Sequence, residues 1–130
     1  MMNKVVTFGE IMLRLGAPDY LRLVQSHQLD VSFAGAEANV AVSLSNYGIP
    51  TDYITCLPQN PMAEKCLREL RSYQVGTSHV QRGGKRMGIL FLETGSNVRP
   101  SQVYYDRDYS AFATMSPNQL DWKEILGDTR

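Results

Sequence analysis

The sequence is short of cysteine, of net charge and of long apolar runs, and each shortage closes a class of function. Its two cysteines, Cys56 and Cys66, have no CxxC spacing and no histidine at a metal-ligand interval, so they read as buried free thiols. Thirteen Lys and Arg balance thirteen Asp and Glu, which leaves no overall field to draw the chain onto nucleic acid or an anionic membrane. No apolar run approaches the length needed to cross a bilayer. Met1 leads within a few residues into a strand-like run, without the basic stretch and apolar core of a secretory signal, so a cytoplasmic protein is expected. A Gly-x-x-x-x-Gly-Lys-Ser/Thr loop is absent as well, and with it any recognisable phosphate cradle.

What remains is ordinary globular material: at 43% hydrophobic and 20% charged, 130 residues suffice for one domain with a core. Val5 to Phe8, ending at Gly9, predicts a buried first strand. Met12 to Leu15 alternate weakly, and Ala17-Pro18-Asp19 makes a turn before Leu21 and Leu23, which suggests a small hairpin. Val31 and Phe33 flank Ser32 in a further alternating piece. From Ala36 the period becomes helical, with Val40, Ala41, Leu44 and Tyr47 on one face and Gly48 with Pro50 as the stop. Tyr53 to Cys56 read as a strand, and Asn60-Pro61 opens a second helix whose stripe is Ala63, Cys66, Leu67 and Leu70, with Glu64 and Arg68 paired outside.

The pattern then returns to strands. Ser78 to Arg82, a Gly83-Gly84 turn and Met87 to Glu93 carry a hairpin signature, its basic tip of Arg82, Lys85 and Arg86 reading as solvated surface. Gln102 to Tyr105 form another strand, and Ser116-Pro117 with Gln119 resembles the capping box of a last helix bearing Leu120, Trp122, Ile125 and Leu126. Gly127-Asp128 reads as its terminator. Strand and helix alternating with antiparallel pieces argues for an α/β sheet that carries a small β flap.

One segment invites a ligand. Ala34-Gly35-Ala36-Glu37-Ala38-Asn39-Val40-Ala41 joins an extended piece to a helix N-terminus, where a glycine lets main-chain N–H groups approach a bound molecule and Asn39 adds a donor and an acceptor. A helix cap with no ligand is the alternative for Gly35 and Asn39. His27 and His79 lack partners in sequence, and Glu10 and Asp19 read as structural.

With Gly9-Glu10-Ile11-Met12-Leu13-Arg14-Leu15 at the front, that eight-residue segment resembles the first signature of PfkB (ribokinase-like) carbohydrate kinases. The onward spacing to Gly48, Leu57-Pro58 and Asn60-Pro61 fits, and Tyr104-Tyr105-Asp106-Arg107 with Ser110-Ala111 resembles the 2-keto-3-deoxygluconate kinase branch. The resemblance implies the N-terminal portion of a three-layer α/β/α fold with a β-sheet lid, spanning residues 1–130. It further implies ATP-dependent phosphorylation of 2-dehydro-3-deoxy-D-gluconate with Mg²⁺ on the phosphates. The family's nucleotide site and its Gly-x-Gly-Asp segment are not among these residues, so no ATP, Mg²⁺ or catalytic site is expected in this chain and it is expected to be inactive alone. Carried over by motif, Gly35, Ala36, Glu37, Ala38 and Asn39 line the sugar, while Leu90, Tyr105 and Arg107 reach it from the flap.

Arg107 suits a sugar acid, because a guanidinium can grip a carboxylate through two parallel hydrogen bonds. The alternatives are packing for Tyr105 and an exposed ion pair for Arg107, which sits between Asp106 and Asp108. Leu90 stands where sugar-acid kinases commonly have tyrosine, Pro58 and Ala63 replace glycines, and Glu37 replaces a small residue, although the sugar-acid branch often has that glutamate. These departures leave open a neutral sugar such as fructose or ribose, or a non-catalytic association module. Partners expected are a small sugar acid and a second copy joined through the lid, with neither nucleic acid nor membrane.

Overall fold

The computed structural model describes residues 3–127 and Thr129. Strand β1 (Val5–Phe8) is β-branched and aromatic, and it pairs in parallel with β4 (Thr51–Ile54), placing Val5 beside Thr51 and Phe8 beside Ile54. Two strands of the flap lie between them in sequence: β2 (Met12–Gly16) and β3 (Asp30–Ala34). Helix α1 (Ala36–Asn46) then returns the chain to β4. A one-residue break at Thr55 separates β4 from β5 (Cys56–Leu57), and helix α2 (Pro61–Ser72) crosses to β6 (Gln81–Arg82), parallel to β5. The flap is completed by β7 (Ile89–Glu93) and β8 (Gln102–Asp106). Short helices α3 (Ala111–Thr114) and α4 (Trp122–Leu126) follow.

Strand alternation divides the body into three layers. Tyr53 and Leu57 face Ala38 and Ala41 of α1 and Ala63, Cys66, Leu67 and Leu70 of α2, all buried. On the opposite face Ile54 packs with Leu120 and Ile125, joined by Val6, Met115 and Trp122. The Phe8 ring meets Phe112 at 5.4 Å and Trp122 edge-on at 5.2 Å, extending that layer. Beside the body stands a four-stranded sheet in the order β3-β2-β7-β8. No helix among the described residues is long and apolar enough to cross a membrane.

Several expectations need correction. Gly83-Gly84 does not close a hairpin: β6 stays in the body, whereas β7 lies in the flap, parallel to β2 and antiparallel to β8. The glycine pair is a crossing between two sheets, and Gly84 has φ +74 with Ala111 packed where a Cβ would point. Its neighbours are not loose surface either, since Arg82 binds Glu64 at 2.7 Å and Arg86 binds Asp106 at 3.1 Å. Glu64 therefore pairs across elements and not with Arg68, and the Arg82 hydrogen bond holds its carboxyl below the usual range. The expected hairpin partner of β2 is also different: β2 pairs with β3, and Leu23–Gln25 form a 3₁₀ turn.

Helix faces were partly displaced. Val40 and Tyr47 are 50% and 81% exposed, because α1 sits down on the sheet through its alanines, Ala38 and Ala41. Asn60 caps α2 as expected, accepting the Ala63 N–H at 2.9 Å, with Pro61 in the first turn. Ser116 instead caps a 3₁₀ turn, and α4 is capped by Asp121, which accepts the Glu124 N–H at 3.1 Å. Gly127 ends α4, and Asp128 lies outside the described residues.

Cys66 is fully buried, and burial pushes its thiol from the ordinary 9.0 up to about 12. Since the unfolded chain's thiol ionises near 9 and the folded one does not, this contribution to stability is complete below pH 9 and is lost as pH rises towards 12. The urea midpoint should fall over that interval, less steeply in Cys66→Ala. Thiol-reagent labelling at pH 8 should proceed only at the rate of unfolding.

Candidate functional site

The body and the flap are joined by four crossings: β1 to β2 through Gly9-Glu10-Ile11, β3 to α1 through Gly35, β6 to β7 through residues 83–88, and β8 to α3 through residues 107–110. Cross-strand partners share a face of the flap, so register decides which side chains assemble. Ser32, Arg14, Leu90 and Tyr105 form one row, since Arg14 pairs with both Ser32 and Leu90, and Leu90 with Tyr105. Arg107 lies two residues past Tyr105, its Cζ 5.4 Å from the centre of the Tyr105 ring. Next to it is Gly88, where a Cβ would meet Arg107 Cβ at 2.9 Å and Met12 Cγ at 3.3 Å.

This face carries two guanidiniums, and among the described residues neither has a carboxylate partner. Arg14 Nε donates to Ser32 Oγ at 2.7 Å. Arg107 keeps its fork exposed, because Asp106 is turned to the other face and engages Arg86. The ion-pair alternative for Arg107 therefore has no support at Asp106. Tyr105 is 62% exposed and Leu90 is 7% exposed, which leaves the tyrosine open to a ligand and the leucine as floor between Arg14 and Tyr105.

The second group of expected residues starts at the helix. Gly35 is buried, with extended backbone (φ −170), so its need for glycine is spatial: a Cβ would lie 2.7 Å from the Glu10 carbonyl oxygen. No side chain caps α1, and the first bond from its amides runs from Asn39 N–H to Gly35 C=O at 2.9 Å, so the first-turn N–H groups are open to an acceptor. Ala36 and Glu37 are exposed there, and the Glu37 carboxylate covers Gly9 so closely that a Cβ on Gly9 would overlap it. Ala38 is buried against the sheet. Beneath them Tyr53 donates to Gly9 C=O at 2.7 Å, and burial raises its phenol far above the ordinary range, with Glu37 and Glu10 adding to the rise.

Leu90, Tyr105 and Arg107 thus come together on one surface. Gly35 is tied to it through Glu10, and Glu37 stands on the flank of α1 beside Gly9. Asn39 is turned away from Glu37, about 200° around the helix. Together with Gly35 and Ala38 it lines a groove of about 430 Å³ between α1 and α2, beside Phe33, Val42 and Asn46. Sequence reasoning read Glu10 as structural, gave Arg14 and Ser110 only as parts of the family motifs without a role, and passed over Gly88. Alternation did contain a signal for Arg14, a lone guanidinium on an otherwise apolar strand, whereas Glu10 acquires its neighbours only through tertiary contacts.

Comparison with known proteins bears on both regions. The crystal structure of a 2-dehydro-3-deoxygluconokinase from Thermotoga maritima superposes on the whole chain with a TM-score of 0.96 and 47% identity, the chain covering 40% of that protein. A 2-dehydro-3-deoxygalactonokinase from Haloferax volcanii is 36% identical over 120 residues, 92% of this chain and 38% of the relative. A 2-dehydro-3-deoxygluconokinase from Bacillus subtilis is 30% identical over 113 residues, 85% of this chain and 35% of the relative. The chain therefore spans well under half the length of the relatives it matches. The model of the pfkB family carbohydrate kinases matches residues 2–126, and with the α/β/α body and its four-stranded flap in place, the chain belongs to that family.

Proposed function

We propose that these residues are the sugar-binding and lid portion of an ATP-dependent kinase for 2-dehydro-3-deoxy-D-gluconate, with residues 1–130 as the N-terminal part of its kinase domain. The observation that carries this reading is the pair of guanidiniums without carboxylate partners among the described residues, Arg14 and Arg107, on one flap face with Tyr105. Arg107 takes the sugar carboxylate in its fork, Tyr105 and Ser32 meet hydroxyls, and Leu90 supports the carbon chain. The open amides of Ala36, Glu37 and Ala38 accept sugar oxygens as the lid settles over the end of α1, with Gly35 giving the close approach and Asn39 holding the neighbouring edge. ATP supplies the phosphoryl group and Mg²⁺ its charge compensation in this family. Among the described residues no three His, Cys, Asp or Glu side chains gather closely enough to hold a metal ion. On this reading the chain positions the sugar and does not phosphorylate it alone.

The outer flap face favours a second, compatible reading. Val31 and Tyr104, in one row with Leu15 and Phe91, are 43% and 50% exposed there, which suits association of two copies through the lid.

The test is an NMR titration of the 130-residue chain with 2-dehydro-3-deoxygluconate, ribose and fructose. Amide shifts confined to α1's first turn, Leu90, Tyr105 and Arg107 are expected with the acid, at concentrations where the neutral sugars leave them in place. Preference for ribose or fructose would overturn the sugar-acid assignment.

A further inference from the structure

We propose that Glu10 is a positioning residue, a clamp whose carboxylate ties the flap to the body at the point where all four crossings meet. Each crossing supplies a contact. Glu10 itself lies in the first. In the second, Gly35 packs so tightly on the Glu10 backbone that a Cβ would come within 2.7 Å of its carbonyl oxygen and 3.2 Å of Ile11 Cα. In the third, Gly88 leaves its Cβ position to the Glu10 carboxylate, whose Oε2 is 2.7 Å from where that carbon would be. In the fourth, Ser110 donates its hydroxyl to the same Oε2 at 2.6 Å, across 100 residues of sequence.

Ser110 is 1% exposed and has a second duty, accepting the Ala113 N–H at 3.1 Å as the cap of α3. Its one O–H proton goes to Glu10, whose carboxylate oxygen is the acceptor, while a lone pair of the same oxygen takes the helix N–H. A charge-assisted bond between a buried hydroxyl and a carboxylate is among the stronger protein hydrogen bonds, and this one joins elements with no strand pairing between them. Arg107 leaves the sheet beside Gly88, so the clamp also sets where the guanidinium stands relative to the end of α1. A glutamine in place of Glu10 keeps an acceptor in the same position, and an alanine removes it.

The geometry is independent of the sugar reading, and only its consequence for binding rests on that reading. Amide hydrogen exchange is measured on the wild-type chain, Glu10→Ala, Glu10→Gln, Ser110→Ala and the Glu10→Ala/Ser110→Ala double variant. The Leu13 amide, bonded to Gly88 C=O, and the Ala111 amide, bonded to Arg86 C=O, report on the crossings, while the Tyr53 amide, bonded to Gly76 C=O, reports on the body. Glu10→Ala and Ser110→Ala should each speed exchange at Leu13 and Ala111 roughly tenfold with Tyr53 unchanged, the double variant should add little, and Glu10→Gln, which keeps the acceptor without its charge, should fall between Glu10→Ala and wild type. Equal acceleration at Tyr53, no acceleration at all, or a Glu10→Gln chain as fast as Glu10→Ala would overturn the clamp. If the exchange pattern holds while the wild-type chain ignores every acid sugar, the sugar reading falls and the clamp stands.

Discussion

Gly35→Ala should lower stability by about 3 kcal/mol, at the upper end of the cost of overpacking a tight contact. The backbone conformation is not the cause, because φ −170 is open to any residue. The cause is the Glu10 carbonyl oxygen, 2.7 Å from the added carbon, with Ile11 Cα at 3.2 Å. Both are main-chain atoms, and neither can rotate aside as a side-chain end could. Relief requires β1 and α1 to separate at the first crossing, which also shifts the amides of Ala36 and Glu37. Gly83→Ala is the control: nothing lies within 4 Å of its Cβ position, so its urea midpoint should stay at or slightly above wild type. Parallel urea titrations of the three proteins check the expectation, and equal midpoints for Gly35→Ala and Gly83→Ala would contradict the packing explanation.

Local chemistry made some elements legible and left others hidden. Helix α2 could be read from Asn60, Pro61 and the Ala63-Cys66-Leu67-Leu70 stripe, because cap, first-turn proline and period all act within a few residues. The Gly83-Gly84 hairpin failed for the opposite reason. Two extended runs around a glycine pair look alike whether the runs pair with each other or enter different sheets, and the choice is made by β5 and β2, more than twenty residues away. The α1 face was misjudged because larger residues, Val40 and Tyr47, were weighed above the alanines that permit close approach to the sheet. At the candidate site, Tyr105 and Arg107 were named together only through the family resemblance, and Arg107 stands just past the end of β8, its Cζ 5.4 Å from the centre of the Tyr105 ring. Arg14 joined them only through the register of β2 with β7, and Glu10 only through crossings far apart in sequence.

Arg107→Gln should leave the fold intact and weaken binding of 2-dehydro-3-deoxygluconate ten- to a hundredfold, the cost of about 1.5–3 kcal/mol for a hydrogen bond to a charged group. Stability should change by less than about 0.5 kcal/mol, as for other exposed sites, because the guanidinium has no carboxylate partner among the described residues and stands over the Tyr105 ring 5.4 Å away. Arg107→Lys separates charge from shape: it keeps the cation but loses the planar fork, so an intermediate loss is expected if the carboxylate is held by two parallel bonds. Arg14→Gln, on the neighbouring row, tests whether the acid selects one guanidinium. Ribose or fructose, lacking a carboxylate, should respond little to any of the three changes. The measurement is the dissociation constant for acid and neutral sugars with each variant, alongside its urea midpoint. Equal losses for acid and neutral sugars would show that Arg107 does not recognise the carboxylate, and a falling midpoint would show that the residue supports the flap itself.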